Sequence, residues 1–176
     1  MTIGHYAPDL WAPGGVSIYA RRLGAAQRAA GHTVHYFSRT TPPDEVEAAT
    51  AVPDDEALFR AARRRGLDVL HLHKPVRSLP SAPLPLVRTM HDNMAACPSG
   101  SRYLRRPGRP CDRTYNVPGC LWGHLVDRCG SRRPKKLAEH FARIERERRL
   151  LPQMPTIAVS RFVKDWMVRT GYPEAN

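Results

Sequence analysis

Several features are missing from this sequence of 176 residues, and each absence removes a class of protein. No apolar stretch approaches the roughly 20 residues that a membrane-crossing helix needs. The opening MTIGHYAP has no basic segment followed by an apolar one, so no secretory leader is read and a cytoplasmic protein is the expectation. Neither G-x-G-x-x-G nor G-x-x-x-x-G-K-[ST] occurs, which leaves a nicotinamide fingerprint enzyme and a P-loop enzyme unsupported. The four cysteines include no C-x-x-C pair. Acidic residues are few, 16 against 28 Lys and Arg, for a net charge of +12. Between Cys97 and Leu150 stand 14 basic and 5 acidic residues, so 14 − 5 = +9 of that excess lies in under a third of the chain. A patch of that sign attracts phosphates of nucleotides, nucleic acids or anionic lipids, or is simply an Arg-rich solvated surface. Aromatic residues in the block are sparse: Tyr103, Tyr115, Trp122 and Phe141. Single-strand binders interleave aromatics for stacking, so nucleic acid is not the expected partner.

What is present alternates strand and helix. TIGHYAP reads as a strand, followed by a loop holding Gly14 and Gly15. From Val16 to Ala30 the positions Val16, Tyr19, Ala20, Leu23, Ala26, Gln27 and Ala30 recur at steps of three and four, which predicts an amphipathic helix. Gly31 ends it in a conformation that costs glycine little, and HTVHYFS is the second strand. These elements make a βαβ unit with parallel strands. TTPPDEVEAATAVP is a polar connection and DDEALFRAARRRG a helix, with acids in its first turn and bases in its last. LDVLHLH is a buried strand, KPVRSLPSAPLPL a Pro-rich connection, and LVRTMHD a strand ending in His91-Asp92. Residues 93–134 form an insertion with all the cysteines. PKKLAEHFARIERERRLL is a helix, PTIAVS a strand, and Ser160 caps the helix RFVKDWMVRTG. The pattern predicts an α/β fold with a Rossmann-like, doubly wound, mostly parallel sheet.

In such sheets ligands bind beyond the carboxyl ends of the strands. That edge would carry Gly14, Gly15, His71, His73, His91, Asp92 and Ser160. A glycine loop entering a helix offers free N–H groups and the positive end of a dipole, to which phosphate oxygens are suited. His71 and His73 point to one face of a buried strand and read as satisfied core or rim residues, while Ser160 is most simply a helix cap. Cys97, Cys111, Cys120 and Cys129 leave three readings: a structural zinc, free buried thiols, or two disulfides. A reducing compartment disfavours the last, and four thiolates suit tetrahedral zinc.

The run P-GGV-S-IYARRLGAAQRAAGHTVHYFS resembles the opening of family 4 glycosyltransferases of the GT-B fold. LDVLHLH is similar to that family's PDVVHLH strand, and LVRTMHD to its V-T-HD strand. CPSGSRYLRRPGRPC resembles an insertion of one branch, and TIAVSRFVKDWMVRTGYP the strand and helix that close the N-terminal domain. The resemblance implies that residues 1–176 are the N-terminal, acceptor-side half of a retaining enzyme, with the C-terminal donor-binding domain absent and little activity alone. It implies a nucleotide-sugar donor shared with that missing domain, a hydroxyl acceptor such as a glycan or lipid-linked cell-envelope precursor, and no cofactor required for catalysis. Gly14, Gly15 and Val16 would then face the donor diphosphate, His91 a hydroxyl of the transferred sugar and Asp92 the acceptor, with Ser160 nearby. The basic block would dock on anionic lipid at the inner membrane face. The alternatives are a zinc-bearing basic nucleic-acid binder and a non-catalytic split subunit or fragment.

Overall fold

The computed structural model describes residues 1–43 and 48–174. Part of the connection read over residues 40–53 therefore lies outside the described residues. The chain divides into two compact units, the first formed by residues 1–89 and 154–157, the second by residues 90–153 and 158–176.

The first unit carries a six-stranded sheet. Its strands are β1 (Thr2–Tyr6), β2 (Thr33–Ser38), β3 (Ala49–Ala51), β4 (Val69–Leu72), β5 (Leu86–Met90) and β8 (Thr156–Ala158), in the order β3-β2-β1-β4-β5-β8. Taken in chain order, that is the doubly wound order 3-2-1-4-5-6, whose switch point lies between β1 and β4. The pairs from β3 to β5 are parallel. Parallel strands are covered on both faces, and β1 and β4 are accordingly buried almost throughout, Ile3, Tyr6, Leu70 and Leu72 among them.

Helix α1 (Gly15–Ala29) links β1 to β2. Its buried residues are Ser17, Ala20 and Gly24, with Val16, Leu23 and Gln27 half-buried beside them, so the expected face is turned slightly and Tyr19, like Ile18, stays exposed. The reason is Tyr36 on β2, whose ring fills the space that a Cβ on Gly24 would occupy and whose hydroxyl donates to Arg21 O at 3.2 Å. Gly31 closes the helix at φ 85°, as its position suggests. Helix α2 (Asp55–Arg64) starts at Asp54, whose carboxylate accepts from Ala57 N at 2.8 Å, and has Asp55 and Glu56 in its first turn against Arg63 and Arg64 in its last. Asp55, almost buried, pairs with Arg39 at 2.7 Å and also accepts from the Arg77 amide.

The second unit is built on helices. The insertion folds into an antiparallel pair, β6 (Tyr103–Leu104) with β7 (Arg109–Pro110), and helix α3 (Val117–Leu125), where only a loop was expected. Asn116 caps α3 by accepting from Gly119 N at 2.7 Å, and Pro118 sits in the first turn, where its missing N–H costs nothing. Helix α4 (Pro134–Leu150) and helix α5 (Arg161–Arg169) follow. Met90, Ala95, Leu151, Val163, Met167 and Tyr172 form the core, and the Tyr172 hydroxyl donates to Ala95 O at 3.0 Å.

Candidate functional site

Gly14 and Gly15 stand exposed at the start of α1. Gly14 is extended (φ 168°), a conformation open to any residue, so the backbone alone does not demand glycine. A Cβ on either would meet no atom within 4 Å. Helix α1 has no side-chain cap and no acid in its first turn, and its first intrahelical bond runs from Ile18 N to Gly14 O at 2.9 Å. Gly14 and Gly15 thus border space that the protein leaves clear. Val16 is half-buried behind them.

At the switch point of the same unit, strand register sets His5 on β1 beside His71 on β4, and His73 follows directly after β4. All three are buried, with ligand-capable nitrogens within 4.8 Å of one another. His71 and His73 stack at 4.2 Å. His5 Nε2–H donates to Gln27 Oε1 at 2.6 Å, which leaves Nδ1 to accept from His73 Nε2–H at 3.0 Å. His71 Nε2 bonds the Thr89 hydroxyl at 2.6 Å. Burial holds the His5 imidazole below its ordinary pKa, against the Gln27 bond and with help from Arg28. This buried, hydrogen-bonded cluster agrees with the core reading of His71 and His73. His5 and Gln27 escaped that reading because only the β1–β4 register and the α1 packing bring them in.

His91 and Asp92 directly follow β5 and belong to the second unit. Both are half-buried, and Asp92 Oδ1 accepts from Met94 N at 2.9 Å, fixing the turn. Asp92 also raises the pKa of the Arg143 guanidinium, although burial of that group prevails and lowers it. Ser160 is exposed, and its hydroxyl accepts from Val163 N at 3.3 Å as the cap of α5. Gly14, Gly15 and Val16 lie in one unit and His91, Asp92 and Ser160 in the other, and each group is described within its own unit.

All four cysteines line one cavity of about 20 Å³ in the second unit, together with Arg102 and His124. That volume suits a single water-sized guest. The cysteines are free thiols, and burial pushes the Cys129 thiol up to about 11 and raises Cys120 as well. No three of the sulfurs lie within 4.8 Å of one another; among the described residues only the three histidines do. A separate groove of about 610 Å³ is lined by Arg105, Arg106, Arg128 and Arg132.

The strand order, the glycine entry to α1 and the buried switch point define a Rossmann-like α/β domain of the kind that takes ligands at its carboxyl edge. The sequence profile of Glycosyltransferase Family 4 matches residues 13–176, and the chain belongs to that family. It is therefore a glycosyltransferase-type domain. No curated protein sequence matches the chain. Among solved structures, dTDP-glucose 4,6-dehydratase from Bacillus anthracis str. Ames, in complex with NAD, is similar at TM-score 0.37 and 11% identity, covering 90% of this chain and 53% of the other. The chain thus spans about half the length of that protein, and a likeness of this size carries no argument. Among the described residues no helix is long and apolar enough to cross a membrane.

Proposed function

We propose that this chain is the acceptor-side domain of a retaining glycosyltransferase that moves a sugar from a nucleotide-sugar to a hydroxyl acceptor, working with a donor-binding domain outside this sequence. The observation that carries the reading is the family match over residues 13–176. The exposed glycine entry to α1 agrees with it.

The chemical need is to stabilise a leaving diphosphate while an oxocarbenium-like sugar meets the acceptor. Unpaired N–H groups at Gly14, Gly15 and Val16, with the helix dipole behind them, supply fixed positive potential where that charge develops. Absence of Cβ lets phosphate oxygens reach the main chain. His91 donates to or accepts from a hydroxyl of the transferred sugar, and Asp92 orients the turn that carries it. Ser160 contributes at the acceptor only beyond its capping role. Positive groups and a helix terminus carry the leaving-group charge, so no cofactor is assigned to the transfer step.

The acceptor is read as a glycan or lipid-linked envelope precursor met at an anionic membrane face, with the arginine-lined groove as the contact. That groove favours phosphate-bearing partners without the stacking aromatics that nucleic acid would require.

The test is binding of a nucleoside diphosphate by isotope-labelled protein. Its addition shifts the Gly14 and Gly15 amide resonances, and Gly15→Val abolishes the shift. Unmoved glycine signals at millimolar ligand would remove the diphosphate role.

A further inference from the structure

The cysteine cavity holds two groups whose chemistry is unanswered by the protein around it. Of the buried polar side-chain atoms without a hydrogen-bond partner among the described residues, two belong to residues lining this cavity: His124 Nε2 and Arg102 Nε. His124 is fully buried. Its Nδ1–H donates to Ser131 O at 2.9 Å, which fixes the tautomer and leaves a lone pair on Nε2. A carbonyl behind an imidazole is the usual support of a histidine metal ligand. Gly130 makes room for the ring, since a Cβ there would collide with the His124 imidazole.

Arg102 is also buried, with its guanidinium 3.1 Å from the Trp166 ring centroid. It donates to Cys111 O at 2.6 Å and Arg113 O at 3.2 Å, and forms no ion pair with a carboxylate among the described residues. Arg113, its neighbour, is already paired with Asp127 at 2.6 Å. A buried cation lacking a counter-charge is costly. The groups whose negative charge it would meet are Cys97, Cys111 and Cys120. Arg102 and Arg128 also hold left-handed φ values of 50° and 56°, strained for non-glycine residues and tolerated where the surroundings fix them.

We propose that this cavity is a structural zinc site in which His124 Nε2 takes one coordination position and cysteine thiolates take the other three. A thiolate-rich, tetrahedral set selects zinc among common divalent ions. On binding, three thiols each lose a proton to solvent while the imidazole enters neutral. Two positive charges against three thiolates leave one negative charge, which Arg102 offsets; four thiolates would leave two. No three of these donors, the four sulfurs and His124 Nε2, stand within 4.8 Å of one another, wider than a bound tetrahedron with Zn–S about 2.3 Å, so the side chains must draw in as the ion binds. The cavity holds room for a single water-sized guest.

The experiment is metal analysis and X-ray absorption on the full chain, expressed with zinc and purified without chelator. One zinc per chain with three sulfur and one nitrogen neighbours is expected. His124→Gln lowers zinc affinity at least about 100-fold. His124→Cys retains zinc, and His140→Gln, which alters a neighbouring ring outside the cavity, binds as the parent does. Four sulfur neighbours together with undiminished affinity in His124→Gln would overturn the donor set. Zinc-free protein that takes up no added zinc, paired disulfides by mass spectrometry, or iron with labile sulfide would overturn the site itself. Metal content is read without any sugar transfer, so failure here leaves the transferase reading standing.

Discussion

At the scale of single residues, the clearest consequence is acid sensitivity. Burial lowers the pKa of His5 from 6.5, and His35 and His140 are shifted the same way, also chiefly by burial. The unfolded chain therefore binds more protons than the folded one as pH falls below about 6.5, and stability drops with it, whereas above that pH both states are neutral and nothing is lost. Thermal unfolding at pH 7, 6 and 5 should show a falling midpoint, and His5→Asn should flatten the fall while itself costing about 2 kcal/mol at pH 7 through its stranded partners. Gly24→Ala is expected to destabilise by about 1–2 kcal/mol, because the overlap with the buried Tyr36 ring outweighs the better helix propensity of alanine; chemical denaturation measures it. Neither effect was visible in the sequence. The spacing marked a helix and most of its inward face, with Ala20 buried and Val16, Leu23 and Gln27 half-buried, but it missed Ser17 and Gly24, the second of which lies against Tyr36, and it placed the exposed Tyr19 inside.

Among elements, local signals were read well where the chain carries its own chemistry. Gly31 after α1 and Ser160 before α5 are short-range devices that appear in their expected roles, and the acids expected in the first turn of α2 are there, with Asp54 serving as its cap. The insertion was opaque because its helix is marked only by Asn116 and Pro118 and its packing depends on cysteines far apart in sequence. The same reason hid His124 and Arg102, which matter through what they face. Ser160→Ala should cost about 1 kcal/mol, read by denaturation, and Ser160→Asp should recover it. If sugar transfer falls in both variants alike while stability recovers in the second, the hydroxyl acts on substrate as well as on α5.

For the whole molecule, alternation of strand and helix implied the doubly wound sheet but not its strand order, and the family resemblance agrees with the profile match over residues 13–176. The basic groove belongs to this scale too. Vesicles containing anionic lipid should sediment the protein and neutral vesicles should not, and replacing Arg105, Arg106, Arg128 and Arg132 by serine should reduce binding by up to about a thousandfold, in line with about 1 kcal/mol per arginine near a charged surface. Equal binding to both vesicle types would exclude that contact.

Arg128 belongs to both features of the insertion: it lines the groove and, at φ 56°, immediately precedes Cys129. Trypsin cleaves after arginine, but only where the backbone can open into its active site. With the cysteines clamped, the bond after Arg128 is shielded by its own rigidity; once a chelator releases them, cleavage there speeds up, and the digestion pattern reports whether the clamp is set.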